Sequence, residues 1–308
     1  MSFTILCTHY QSQIIKTLLN IPSPMIRDLL HQNITKEIIL KEIHRLTSHP
    51  YIEITLRGNA AITAALSVVP KGSTILIPEE GGWIHYEKAP PQLGLKAVKV
   101  SCDDARINLD DLTTKLTELK PSAFLYQNPG GYFAQQPMTE IYDICKRNNC
   151  LVIMDVSGSI GTSLCDGSYA DFLVCSFGEE KLVEAKIGGF ISSPDERLLH
   201  QATVGIDHLD QDELLNSILK EIRNLPERIR FLTQKRKKVI ADLKQFDVVH
   251  KEDMGFVVVI KFSDTDEKNK IIEYCKKEKL EYTECPRYIR LNSPAISIEV
   301  KRLESEIL

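Results

Sequence analysis

Much that would narrow the problem quickly is missing from the 308 residues. No uninterrupted apolar stretch approaches the roughly 18–20 residues needed to span a bilayer, so no membrane-spanning helix is expected. Residues 1–7 carry no basic n-region, and their apolar run is too short for a signal peptide. The eight cysteines include no Cys-x-x-Cys pair. Without an export signal they read as reduced thiols of a cytoplasmic protein, mostly small core residues. Net charge is also scarce: 38 basic against 42 acidic residues leave −4 at pH 7. That balance offers no broad attraction for nucleic acid. The densest basic run, Lys235 to Lys238, sits in a helical pattern and reads as a solvated helix face. There is no internal repeat or low-complexity tract, and only one tryptophan.

What is present is ordinary globular material, 43% hydrophobic and 26% charged. At about 100–200 residues per domain, the length suggests two domains, or one large one with an appendage. Residues 10–47 read as helices broken at Pro22 and Pro24, with Ile39, Leu40, Ile43 and Leu46 at helical spacing. Strands are expected at 51–56, 74–77, 96–100, 123–126, 151–154, 172–175 and 189–192. Helices are expected at 60–69, after the Asn108 cap, and at 138–147. Alternating strands and helices, with a nearly continuous apolar strand at 151–154, predict an α/β domain with a mostly parallel sheet. Residues 209–244 read as long helix interrupted near Pro226. Beyond them a strand at 256–262, a helix at 266–279, strands near 280–284 and 287–291, and a terminal helix predict a small α+β domain. The boundary is set at 225, giving domains 1–225 and 226–308.

Four features fall in order along the chain. Arg57-Gly58-Asn59-Ala60 is a strand-to-helix turn whose backbone N–H groups suit a phosphate, although such turns also arise from packing alone. Asp155 ends an apolar strand, where open α/β sheets bind ligands and a carboxylate could hold a protonated ring nitrogen; it could also cap the next turn. Lys181 follows Ser176-Phe177-Gly178-Glu179-Glu180 and precedes Gly188-Gly189. A lysine amine forms Schiff bases when burial or neighbouring cations lower its pKa, whereas an isolated lysine is a surface residue. Trp83, in Gly81-Gly82-Trp83-Ile84-His85, could stack on a flat ring or anchor packing, and His85 is an alternative stacker.

Together these residues resemble the fold-type I pyridoxal-phosphate (PLP) enzymes, most nearly the DegT/DnrJ/EryC1/StrS aminotransferases. As in that family, the lysine stands five residues after the serine, and the glycine pair seven and eight after the lysine. The likeness covers about residues 55–195. It implies a fold-type I large domain with a small C-terminal domain, and an aminotransferase working through a Lys181 Schiff base. Asp155 would hold the ring-nitrogen proton. Gly58, Asn59, Ala60 and Ser176 would cradle the phosphate, and Trp83 or His85 would cover the ring. Lys186, a nearby rival, fails the spacing to the glycine pair. The resemblance further implies a small-molecule amino donor and acceptor, and a homodimer with sites at the subunit interface.

The chain departs from the pattern at Asn59, where the family usually has Thr or Ser. It also has Gly158 where a His or Gln usually meets the cofactor's phenolic oxygen. Asn128, in Gln127-Asn128-Pro129-Gly130, is the expected substitute, by likeness to the Asn-Pro turn of other aminotransferases. The run from Asp155 to Ser159 also resembles the tRNA-dependent selenocysteine synthases, and the net acidity weighs against a tRNA partner. A cysteine-desulfurase-like lyase would need a catalytic thiol, for which Cys165 and Cys285 are the candidates. A degenerate homologue acting as a binding subunit is the non-enzymatic alternative. Finally, residues 288–291 alternate like a strand and resemble the arginine-bearing strand of the wider superfamily. Arg290 rather than Arg287 is then expected to grip a substrate carboxylate through its guanidinium fork.

Overall fold

The protein is described by a computed structural model that covers residues 24–206 and 209–304. Cys7 and Pro22 lie outside the described residues, as does the end of the expected terminal helix. The first described helix is α1 (Pro24–Thr47). It is followed by β1 (Tyr51–Thr55), α2 (Gly58–Ser67), β2 (Thr74–Pro78), α3 (His85–Gln92) and β3 (Lys96–Val100). A two-residue pair, β4 (Cys102–Asp103) and β5 (Arg106–Ile107), leads into α4 (Leu109–Leu119). The Asn108 side chain caps α4 by accepting from the Asp111 N–H. Then come β6 (Ala123–Gln127), α5 (Met138–Arg147), β7 (Leu151–Asp155), β8 (Phe172–Ser176), β9 (Gly189–Ser193) and α6 (Glu196–Thr203).

The large sheet runs β1-β9-β8-β7-β6-β2-β3. The five strands from β8 to β3 are mutually parallel, and β9 alone runs against its neighbours. This is the mostly parallel sheet expected from the sequence. Alternate strand residues feed two cores. Leu76, Phe124, Val152 and Leu173 pack on one face, and Ile75, Leu125, Ile153 and Val174 on the other. The second face is covered by α2, whose Ala61, Ala64 and Ala65 bring its axis close to the sheet and aim its N-terminus at the strand ends.

The next helix, α7 (Asp212–Asp242), runs unbroken through Pro226, against the interruption expected there. An interior proline costs about 3 kcal/mol. Burial of Leu215, Ile218, Leu219, Ile222, Leu225, Leu232 and Val239 along one face outweighs it. The small unit contains β10 (Asp247–Val248), β11 (Val258–Lys261), α8 (Thr265–Lys277), β12 (Tyr282–Cys285) and β13 (Ala295–Ile298), in an antiparallel sheet ordered β10-β11-β13-β12. The strand expected over 287–291 is instead a turn, closed by Arg287 N–H to Leu291 O (2.6 Å) and Arg290 N–H to Arg287 O (2.8 Å). The partner of β12 is β13, further along. Two helices had no legible pattern: α3, which contains Pro90 and Pro91, and the eight-residue α6.

Candidate active site

The carboxyl ends of β6, β7 and β8 carry Gln127, Asp155 and Ser176, and they converge on a cavity of about 60 Å³. It opens into an outer chamber of about 380 Å³, with Gly58, Asn59, Trp83, Ser176 and Lys181 shared between the two. Ligands of open α/β sheets bind at such strand ends.

Asp155 forms part of the floor and is buried. The Tyr86 hydroxyl donates to its Oδ2 (2.7 Å) and the Ser157 N–H to its Oδ1 (2.9 Å). Burial, and next the Asp155 charge, push the Tyr86 hydroxyl well above its ordinary pKa, so it stays a donor. A carboxylate has about four lone-pair directions, so Asp155 retains capacity for a further donor. Beside it, the Ser157 hydroxyl accepts from the Ser176 N–H (2.9 Å) and ties the ends of β7 and β8 together.

Position 58 allows only glycine. A Cβ there would stand 2.5 Å from Ser176 Cβ and fill the cradle between the α2 N-terminus and β8. Asn59 accepts a hydrogen bond from Trp83 Nε1 (2.9 Å), which holds the indole at the cavity mouth, 37% exposed. Lys181 Nζ lies 5.1 Å from the Trp83 ring centroid and donates to the Tyr132 hydroxyl at 2.9 Å. Burial lowers the Lys181 pKa. Tyr132 and Asp155 raise it more, leaving the amine above its usual range.

Four expected contacts lie elsewhere. Ala60 and His85 face a separate surface groove, where His85 Nε2 pairs with Thr63 Oγ1 at 2.9 Å. The Ala60 N–H is taken by Arg57 O (3.0 Å) inside the helix start. Asn128 is fully buried, with its amide engaged by Leu164 O (3.3 Å), the Gln136 N–H (3.1 Å) and the sulfur of Met138 (3.6 Å). Its neighbour Gln127 lines the cavity instead, because successive strand residues point to opposite faces. Arg290 is buried, and its guanidinium is taken by Glu299 through Nε (3.1 Å) and Nη2 (2.6 Å). Lys186 lines only the outer chamber.

Sequence reasoning passed over Gln127, Ser157, Tyr86 and Tyr132. Gln127 stands in register with Asp155 across the β6–β7 pair, so the strand-end rule could have found it. Tyr86 and Tyr132 carry no local signal. The two candidate thiols are buried, and burial pushes Cys165 up to about 12 and raises Cys285, which disfavours the thiolate that a nucleophile needs. Among the described residues no group of His, Cys, Asp and Glu could hold a metal ion.

A carboxylate on the floor, a lysine amine beside an indole and a glycine–serine cradle at a helix start fit a flat, protonatable ring bearing a phosphate. With the sheet order, they define a fold-type I PLP enzyme. The pattern of the DegT/DnrJ/EryC1/StrS aminotransferase family matches residues 52–214, more than half of the chain. The chain belongs to that family and is a PLP-dependent aminotransferase with pyridoxal 5'-phosphate as its cofactor. Residues 223–308 match the MJ1341 family C-terminal domain.

Solved structures agree in fold. A DegT/DnrJ/EryC1/StrS aminotransferase from Brucella abortus is 15% identical with a TM-score of 0.72, over 96% of this chain and 90% of that one. Ureidoglycine–glyoxylate aminotransferase from Bacillus subtilis gives 14% and 0.66, over 87% and 79%. Serine palmitoyltransferase from S. paucimobilis, with a bound PLP–myriocin aldimine, gives 15% and 0.68, over 90% and 73%. No curated protein matches the chain in sequence.

Proposed function

We propose that the cavity transfers an amino group between two small molecules, with Lys181 as the residue that binds the cofactor covalently. The observation that carries this reading is that Lys181 and Asp155 line one cavity with the Gly58–Ser176 cradle. When bound, PLP supplies an aldehyde for amines and a ring that withdraws electrons from the reacting carbon. The residues do the rest. Asp155 keeps a proton on the ring nitrogen, because its carboxylate is held by Tyr86 and Ser157 with acceptor capacity to spare. Ser176 Oγ and the start of α2 hold the phosphate. Trp83, fixed by Asn59, covers the ring and excludes water from one side. Lys181 Nζ would hold and pass the proton at the reacting carbon. General acid–base help of this kind contributes about 10²–10⁴-fold.

With Arg290 committed to Glu299, the arginine grip on a substrate carboxylate loses its support. Arg57 and Lys186, on the outer chamber, are the cations we assign to an anionic substrate group. Exposed Trp83 at the mouth and exposed Val204 on the separate groove with His85 are in keeping with a homodimer that covers them. The seven described cysteines are free thiols, in keeping with a reducing cytoplasm. No described helix is long and apolar enough to cross a membrane. The test is a visible absorption spectrum of protein reconstituted with PLP, then borohydride reduction with peptide mapping, then a panel of amino donors. A reduced adduct on Lys181 and bleaching by an amino donor are expected. An adduct on Lys186, or no adduct, refutes the assignment.

A further inference from the structure

We propose that Tyr132 is a catalytic residue of this site, its hydroxyl handling protons for the Lys181 amine. The proposal rests on Lys181 being the reacting amine. It starts from an oddity of the cavity wall: position 158, three residues past the floor carboxylate, has no side chain. The space is already filled, since a Cβ on Gly158 would stand 2.8 Å from Tyr132 Cδ1. The phenol occupies the place that a side chain at 158 would have taken.

Its hold there is elaborate. Tyr132 adopts a left-handed backbone (φ 69°), a conformation that non-glycine residues adopt only at a free-energy cost and that recurs at functional sites. The Tyr132 N–H donates to Pro129 O (3.1 Å), and Tyr132 O accepts from the Phe256 N–H (2.9 Å). Three cations surround the ring: Lys181 Nζ and Lys301 Nζ, each 5.2 Å from the centroid, and the Arg290 guanidinium at 5.4 Å. The hydroxyl lies 2.9 Å from Lys181 Nζ, within the range for proton transfer. Simple packing would not need the hydroxyl in that place.

The proton balance closes on the pair. Starting from neutral amine and phenol, the Lys181 nitrogen forms a bond to an aldehyde carbon. The carbonyl π pair moves to its oxygen, which takes the Tyr132 proton. The nitrogen, now positively charged, returns one proton to the Tyr132 oxygen. The pair thus ends with the charge it had. The neutral adduct then loses its hydroxyl as water, which takes the Tyr132 proton as the C=N bond forms, and the nitrogen returns its remaining proton to the Tyr132 oxygen.

The groups facing Lys181 are Tyr132, Asp155, Arg290, Lys301 and the Cys175 thiol. Tyr132 is the strongest influence opposing the effect of burial on that amine. Tyr132→Phe keeps the ring and its cation contacts and removes only the hydroxyl.

Two measurements test the proposal. The first mixes apoprotein with PLP and follows the rise of visible absorbance, which reads covalent capture at Lys181. Tyr132→Phe should slow capture by about 10²-fold. The second labels the apoprotein with fluorodinitrobenzene across pH and maps the Lys181 peptide. The midpoint should fall by about one unit in Tyr132→Phe, a roughly tenfold change in the amine equilibrium. Gly158→Ala, which pushes the same ring away, should move both readouts the same way and decides the matter if Tyr132→Phe does not fold. A variant that melts like the parent yet captures PLP at the parental rate overturns the proposal. If the parent itself captures no PLP, the functional reading fails instead, and the labelling arm still reports whether Tyr132 governs the Lys181 amine.

Discussion

At its floor the cavity is built from strand ends, with short side chains, backbone N–H groups and one carboxylate. Behind Tyr132 the small unit instead packs Arg290, Glu299 and Lys301 together, with side-chain exposures of 3%, 0% and 5%. Burying charge is expensive unless each partner is satisfied. Here Glu299 accepts from Arg290 and from Ser297 Oγ (2.9 Å), and Lys301 reaches Glu180 at 3.1 Å. Arg290 and its neighbours hold the Glu299 carboxyl below its usual range against the effect of burial. Burial and the nearby Lys181 and Arg290 bring Lys301 down to about 8, despite Glu299 and Glu180. One region presents few charges to the cavity, and the other packs Arg290 and Lys301 against the phenol that bonds the cavity lysine.

The contrast can be broken from the floor. Lys181→Ala should abolish covalent cofactor binding outright, read as loss of the visible band, while Lys186→Ala keeps it. Asp155→Asn should retain cofactor but lower turnover by orders of magnitude; near-parental turnover would leave Asp155 only its structural bonds to Tyr86 and Ser157.

On the charged side the expected damage is to stability. Arg290→Ala leaves Glu299 short of its main partner and should cost about 3–5 kcal/mol, measured by denaturant unfolding. A variant of parental stability with only a raised KM would restore the substrate-binding role expected from the sequence.

Lys301 gives a pH signature. Its folded pKa of about 8 lies below the 10.5 of an ordinary lysine, so between these values the unfolded chain binds more protons. By linkage, this group's penalty is fully present below pH 8 and is relieved as pH rises towards 10.5. Subtracting the unfolding free energy of Lys301→Met from that of the parent across this window should give a rising difference. A flat difference would show the amine to be solvated.

The smallest effect separates two neighbours. Trp83→Ala should weaken PLP binding about tenfold, and His85→Ala by less than about twofold, since His85 bonds Thr63 outside the cavity.

The floor was legible because strand ends and helix starts lie next to one another in sequence, and the spacing from Ser176 through Lys181 to Gly188 and Gly189 is local. The Trp83 placement was legible for the same reason. Asn128 was misread by one residue, since a one-residue step on a strand exchanges core for cavity, and the turn motif obscured the alternation. Arg290 was misread more deeply. A run of alternating residues resembles a strand, but the backbone of 287–291 closes on itself, and its partner Glu299 lies nine positions on. Tyr132 meets Lys181 across 49 positions, and no pattern in either segment announces the other.

Glu180, the residue before Lys181, has its carbonyl and carboxylate held by Lys301 Nζ at 3.2 and 3.1 Å, and its carboxylate lies 3.0 Å from Arg302 Nε. This clamp has a consequence for how the protein is made. A ribosome delivers Lys181 and Asp155 long before it delivers residues 299–302. The segment bearing that amine is not pinned until Lys301 and Arg302 have packed against Glu180. The place of that amine thus depends on a residue that reaches Glu180 from 121 positions further along the chain.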